Sequence, residues 1–392
     1  MRILVLGGDG YLGWPTAMFF SRTDHEVMVV DNLAKRQWEV EVDGAPLEPP
    51  PTLRHRLRVW SDVTGREIQV AIADIAENPR VVYRVFEDFQ PEAIVHYAEQ
   101  PSAPYSMVDR NHAVYTQRNN VLGTLNVLHA MKRHVPEAHL VKLGTMGEYG
   151  TPNVDIAEGW IDVEVNGRSD RLRFPKLPGS FYHLSKVHDS HNIHFACRTW
   201  GLAATDLNQG VVYGITTDET ELDPELHTSF HYDAVFGTAL NRFCAQAVAG
   251  VPLTVYGSGG QKRSFLNIRD TLECVRLPLE HAAEPGEYRV FNQFTEVFSV
   301  LELAELVAAA AGKLCLDARI EHLENPRIES EEHWYNPRND SLLALGLEPR
   351  LLSNELVETM MRRIAESVDR IDRATILPRV QWRQDIGTAT PS

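Results

Sequence analysis

Tyr182 and Lys186 stand four residues apart in the run Tyr182-His183-Leu184-Ser185-Lys186, a spacing that puts both on one face of a helix and within mutual reach. A phenol with an ordinary pKa of about 10 is a poor base at neutral pH, but an ammonium and an oxidised nicotinamide close by both favour the phenolate. Tyr182 can then take a hydroxyl proton while a hydride leaves the same carbon. Thr145, just past the apolar run Leu140 to Leu143, is placed to join that pair. A tyrosine and a lysine at this spacing are common by chance, and they gain meaning only beside a dinucleotide site.

Such a site is suggested at the start of the chain, where the apolar run Ile3 to Leu6 leads into Gly7-Gly8-Asp9-Gly10-Tyr11-Leu12-Gly13 and then a helical pattern. The backbone there must turn tightly, approach a pyrophosphate and present helix N-terminal N–H groups to it. Cofactor contacts are expected from Gly7, Gly10, Tyr11, Leu12 and Gly13. The second apolar run ends on Asp31, followed by Asn32, about 20 residues beyond the glycines, where an acceptor for a ribose 2′-hydroxyl belongs. A carboxylate pairs with NAD and repels the 2′-phosphate of NADP; Lys35 and Arg36 pull the other way, and NAD is the favoured cofactor. Asp74 and Ile75 fall where an adenine contact is expected, with Tyr182, Lys186 and Gln209 completing the cofactor set.

The elements that must position these residues follow from periodicity. Short apolar runs at Ile3 to Leu6, Val27 to Val30, Ile68 to Ile72, Ala93 to His96, Leu140 to Leu143 and Ala203 to Leu207 alternate with helical stretches, among them Val114 to Arg133 and Tyr182 to Trp200. That alternation predicts an α/β fold, a Rossmann-type doubly wound parallel sheet. Residues 1–210 form the NAD-binding domain in this reading, with inserts near 44–51 and 155–178. The first, rich in proline, reads as a surface loop; the second as a β-hairpin turning on Asn166-Gly167. Residues 211–392 form a smaller, mainly substrate-binding region, with helices expected at Val235 to Ala249, Asp270 to His281 and Val300 to Ala311 and some segments returning to the core.

Composition limits the partners. With 38 basic and 54 acidic residues, a net charge of -16 argues against a broad hold on nucleic acid or an anionic membrane, both of which need clustered cations. Four scattered cysteines and no long apolar run point to a cytoplasmic protein without a disulfide framework or zinc site. His183, His188, His191 and His194 crowd one helix, but their spacing drifts around it, and no metal is expected.

Longer runs carry a resemblance. Gly144-Thr145-Met146-Gly147-Glu148-Tyr149-Gly150, the stretch Ser180 to Ser190, and Leu207 to Gly214 resemble the UDP-sulfoquinovose synthases, members of the extended short-chain dehydrogenase/reductase family. The resemblance covers nearly the whole chain. It implies NAD-dependent oxidation at C4 of UDP-glucose, elimination of the 6-hydroxyl, sulfite addition at C6 and return of the hydride. Thr145, Tyr182 and Lys186 would serve C4, and His183 or Glu148 the C5 and C6 chemistry. Sugar 4,6-dehydratases of the superfamily carry an Asp-Glu pair after the threonine, where this chain has Met146 and Gly147. The synthases also carry an arginine between the glutamine and serine of a loop that here reads Gln100-Pro101-Ser102. A chain lacking that arginine is alternatively a sulfite-independent epimerase or dehydratase of another, higher-carbon nucleotide sugar. By the same analogy the substrate contacts are Gln100, Pro101, Thr145, Tyr182, Asn208, Gln209, Thr238, Arg263 and Arg327, with Arg269 a further candidate, and the protein is a homodimer through its helical faces.

Overall fold

A computed structural model of the chain describes residues 1–327 and 333–382. In its first half strands and helices alternate: β1 (Arg2–Leu6), α1 (Gly13–Arg22), β2 (Glu26–Asp31), α2 (Ala34–Glu41), α3 (Leu53–Thr64), β3 (Ile68–Ile72), α4 (Pro79–Phe89), β4 (Ala93–His96), α5 (Arg110–Gln117), α6 (Gly123–His134) and β5 (His139–Thr145). A hairpin of β6 (Trp160–Val165) and β7 (Arg168–Arg173) precedes α7 (Phe181–Trp200) and β8 (Ala203–Gln209). Beyond it lie β9 (Val211–Tyr213), α8 (Ala239–Ala249), β10 (Leu253–Tyr256), β11 (Lys262–Asn267), α9 (Ile268–Glu280), β12 (Tyr288–Gln293), β13 (Glu296–Ser299), α10 (Val300–Lys313), β14 (Ile320–Leu323), α11 (Asp340–Ala344) and α12 (Asn354–Ala365).

Seven parallel strands form the main sheet in the order β12-β8-β5-β4-β1-β2-β3. Strands β1 and β4 are buried almost throughout because helices cover both faces, which is why they read as unbroken apolar runs. Alternate side chains feed two cores: Ile3, Val5 and Val29 pack with Trp14 and Val275, while Leu4, Leu6 and Ile94 pack with Phe86, Val127 and Ile193. A third core around Phe243, Val255, Leu303 and Met361 holds the C-terminal region together. The strand order reverses between β1 and β4, so the loops after these two strands diverge and leave a crevice at their C-terminal ends.

Three local expectations are corrected. The proline-rich 44–51 insert is not a free surface loop: Leu47 is buried, its N–H donates to the Phe230 carbonyl at 2.9 Å, and Glu48 pairs with Arg363 at 2.8 Å. The stretch from Val114 to Arg133 is not one regular helix, since a π-helical turn at Arg118–Leu122 separates α5 from α6. That wider turn lets the buried Asn120 amide bond both the main chain of Gln100 and Ser185. Helix α8 begins at Ala239 rather than Val235, because Asp233 Oδ1 accepts the N–H groups of Val235 and Phe236 and holds them in a turn. In the hairpin, Asn166 and Gly167 both take positive φ, 52° and 72°. No helix among the described residues is long and apolar enough to cross a membrane.

Candidate active site

The crevice opens into a cavity of about 450 Å³ running from the glycine loop to α8 and β11. Gly7 has φ of +88°, and a Cβ on it would lie 2.8 Å from the Ala98 main-chain N. A Cβ on Gly13 would lie 1.9 Å from the Gly7 carbonyl oxygen, whereas one on Gly10 would meet that oxygen only at 3.4 Å. Gly7 and Gly13 therefore pack backbone on backbone, and Gly10 keeps the cavity side of the loop clear. No side chain caps the start of α1, which leaves its N-terminal dipole for an anion. Asp9 is clamped by Arg36, at 2.7 and 3.1 Å, and by the buried Arg56. Its N–H donates to Asp31 Oδ2 at 2.8 Å, while Leu33 N–H donates to Oδ1 at 2.6 Å. Burial pushes the Asp31 carboxyl up to about 6. Gly7, Gly10, Tyr11, Leu12, Gly13, Asp31, Asn32, Ile75 and Gln209 all line the cavity, a cradle that fits a dinucleotide. Asp74 does not: it holds Asn32 in place at 2.9 Å and accepts the N–H groups of Ala76 and Glu77.

Thr145, Tyr182 and His183 share one stretch of wall. Helix α7 starts there because Ser180 Oγ accepts the His183 N–H at 3.1 Å, and the same hydroxyl lies 3.1 Å from His183 Nδ1, which orients the ring. The imidazole rests against bare backbone, since a Cβ on Gly147 would come within 2.3 Å of Nε2. Burial and then Glu99 raise the Tyr182 phenol above its ordinary value, against the opposing effects of Lys142 and a hydrogen bond from Thr145. Lys186 stands behind the wall, donating to the Leu143 carbonyl at 2.6 Å and ion-paired with Glu99. Glu148 faces away from the cavity. It pairs with Lys176 at 3.1 Å, accepts from Ser190 at 3.0 Å and closes a capping box with Thr145.

At the other end the wall is built by Thr238, Asn241, Arg242, Tyr256, Gln261, Arg263 and Arg327. Arg242 is buried, its guanidinium 4.8 Å over the Tyr256 ring and bonded to the Tyr256 hydroxyl at 3.2 Å. Thr238 Oγ1, Arg242 Nε and Gln261 Oε1 are buried without a hydrogen-bond partner among the described residues, a donor and acceptor set suited to a polar ligand. Pro101 also lines the cavity, but Gln100 and Asn208 do not. The Gln100 carbonyl oxygen of the side chain accepts from Ser102 N–H at 3.2 Å, and Asn208 donates to the Tyr149 hydroxyl at 2.6 Å. Arg269 is taken up by Asp218 and Glu221 on the surface. Sequence reasoning missed Arg242, Tyr256 and Gln261, as well as His231, which stands 3.0 Å from Lys35 in the wall. None has a motif; the only signal was Arg242 lying four residues after Thr238, one helical turn on. No cluster of potential metal ligands occurs among the described residues.

A family model for the NAD dependent epimerase/dehydratase family matches residues 3–292. The chain belongs to that family. It is 52% identical over 383 residues to the chloroplastic UDP-sulfoquinovose synthase of Spinacia oleracea, covering 98% of this chain and 79% of that protein. It is 43% identical to the UDP-sulfoquinovose synthase of Sulfolobus acidocaldarius, covering 98% of each. Among solved structures, UDP-glucuronic acid 4-epimerase from Bacillus cereus, in complex with UDP-glucuronic acid and NAD, superposes with a TM-score of 0.69 at 19% identity, covering 93% of this chain and 99% of that one. The protein is thus an enzyme of the NAD-dependent epimerase/dehydratase family on a Rossmann-type fold.

Proposed function

We propose that the protein is a UDP-sulfoquinovose synthase, converting UDP-glucose and sulfite into UDP-sulfoquinovose and water. The observation that carries this reading is 52% identity across 98% of the chain to a protein of that activity. The sharing of one cavity by the glycine cradle and by Thr145, Tyr182 and His183 supports it. Held by the glycine loop and Asp31, NAD supplies a reversible two-electron oxidant for C4 of the sugar. Tyr182 takes the C4 hydroxyl proton as that carbon is oxidised, and Thr145 hydrogen-bonds the C4 oxygen. The resulting ketone acidifies the neighbouring C5–H bond. His183, rather than the turned-away Glu148, removes the C5 proton and protonates the 6-hydroxyl as it leaves as water. The bisulfite sulfur lone pair then forms the bond to C6, C5 is reprotonated through His183 by the proton that bisulfite gives up, and C4 is reduced while Tyr182 returns its proton.

At the far end of the cavity, Thr238, Arg242, Gln261, Arg263 and Arg327 hold the nucleotide diphosphate in this reading. The protein pairs as a homodimer through the groove that Met107, Val114, Leu122 and Phe181 line beside α5 and α7. Its cysteines are free thiols among the described residues, in keeping with a cytoplasmic setting. One observation favours a second reading. Pro101, in the cavity wall, offers no donor to a sulfite oxygen, so a sulfite-independent epimerase or dehydratase of another nucleotide sugar is the alternative. Incubating the protein with NAD, UDP-glucose and sulfite and weighing the products separates the two. A sulfonated nucleotide sugar, lost in Tyr182→Phe by about 10²- to 10⁴-fold, is the expected outcome. A 4-epimer, a dehydrated sugar, or deuterium taken up at C5 with no sulfonate would sink the synthase assignment.

A further inference from the structure

Four charged side chains are buried directly behind Tyr182. Glu99, just past β4, sits between two ammoniums, with one carboxylate oxygen ion-paired to Lys142 of β5 and the other to Lys186 of α7. Lys142 also reaches Asp189, one turn along α7, at 3.3 Å. All four side chains are at most 3% exposed. Both ammoniums donate to the Leu143 carbonyl, Lys142 at 3.2 Å and Lys186 at 2.6 Å, and Lys186 Nζ lies 5.7 Å from the centre of the Tyr182 ring. Buried ion pairs are poor stabilisers compared with apolar packing, so a quartet of charges beside a reacting phenol calls for a purpose beyond holding the fold. Proton transfer at Tyr182 requires one ammonium, Lys186. Glu99 and Lys142 are left unexplained.

We propose that Glu99 and Lys142 are positioning residues for the Tyr182–Lys186 pair: Glu99 bridges the two ammoniums and fixes Lys186, while Lys142 adds a second positive charge behind the phenol, so that the two act in opposite directions on how readily Tyr182 releases its proton. The other charged groups facing this spot largely cancel. Burial holds His96 of β4 neutral, its pKa lowered to about 3. Glu148 is matched by Lys176 at 3.1 Å. Burial raises Asp189 well above the ordinary carboxylate range. His183 lies on the same turn and lines the cavity. Burial works against ionising Glu99, but Lys142 and Lys186 outweigh it and hold that carboxyl below its ordinary value. Burial would likewise lower Lys142, but Glu99 and Asp189 raise it. Glu99 and Lys142 therefore stay charged and act on the Tyr182 phenol with opposite sign, Glu99 raising it and Lys142 lowering it.

The inference rests on Tyr182 being the group that takes the sugar hydroxyl proton. It is tested in the NAD-loaded full-length protein by the acid limb of the pH profile for a single turnover of nucleotide-sugar oxidation, which precedes any C5 chemistry, and by tyrosinate absorbance against a Tyr182→Phe background. Lys142→Met should move both transitions to higher pH and Glu99→Gln should move both to lower pH, each by about one unit, with Lys142→Arg restoring the original position. Should Glu99→Gln fail to fold, Glu99→Gln/Lys142→Met, which removes one charge of each sign, is compared with Lys142→Met alone and should lie at lower pH. Shifts in the same direction, or folded variants with no shift, overturn the inference. If Tyr182→Phe itself oxidises the sugar normally, the reading of Tyr182 fails instead, so the two failures are distinguishable.

Discussion

The two ends of the cavity are built on opposite plans. At the glycine-loop end the buried carboxylates already have protein partners: Asp9 is clamped by Arg36 and Arg56, and each Asp31 oxygen accepts a main-chain N–H. At the α8 end, Thr238 Oγ1, Arg242 Nε and Gln261 Oε1 have none among the described residues. Preformed, internally satisfied walls suit a cofactor that stays, because little has to be reorganised when it binds. Buried groups without partners are expensive to leave so, and they gain most when a polar ligand arrives. The same contrast appears in the backbone. The first end is fixed by contacts between glycines, the second by side chains from the consecutive elements α8, β10 and β11.

The harshest way to break this contrast is to add a methyl group to the rigid end. Gly13→Ala would drive a Cβ to 1.9 Å from a main-chain oxygen, and neither partner is a side chain that can swing away. It should cost about 3 kcal/mol or more of stability and release NAD on gel filtration. Gly10→Ala makes only a 3.4 Å contact with protein and should keep its thermal transition while losing NAD affinity. Equal thermal losses in the two variants would show that the loop is not divided into packing and binding glycines.

The contrast also explains what could be read from residue order. Gly7 to Gly13, Asp31 and the Tyr182 to Lys186 pair are local patterns tied to one strand end or one helical turn, and such patterns survive without a structure. Asp74, Gln100 and Asn208 were placed correctly near strand ends, but a strand end gives no sign of whether a side chain turns to the cavity or to its neighbours. The Glu99–Lys142 pair was invisible for a stronger reason. Its members are 43 positions apart and meet only because β4 and β5 run parallel with His96 beside Lys142. Arg242 was hidden similarly, since burial of an arginine against Tyr256 follows from how α8 packs on β10 and not from any spacing.

A smaller effect sharpens the contrast from the other side. Arg242→Met removes the guanidinium but keeps much of the apolar stem that packs on Tyr256. Loss of a charge-assisted contact worth about 1.5–3 kcal/mol should raise KM for the nucleotide sugar about 10- to 100-fold and leave the NAD dissociation constant unchanged. Steady-state kinetics beside calorimetric NAD binding reads both. A parallel loss of NAD affinity would mean the two ends are mechanically coupled and the division drawn above is too sharp.

The smallest effect is electrostatic and sits in Asp31. Burial raises this carboxyl to about 6 in the folded protein, against about 3.9 in an unfolded chain. Between these values the fold binds a proton that the unfolded chain does not, so this group's contribution to stability rises as pH falls from about 6 toward 4 and is lost again as pH climbs through 6. Cofactor affinity should run the other way. The ionised carboxylate accepts from Asp9 and Leu33 N–H and still has lone pairs for ribose hydroxyls, whereas the protonated acid has fewer. NAD binding should therefore weaken several-fold, up to about tenfold, as pH is lowered through 6, and Asp31→Asn should bind more weakly and flatten that dependence. If the variant keeps the full pH dependence, the titrating group lies elsewhere, and the rigid end of the cavity owes its grip to backbone and phosphate contacts alone.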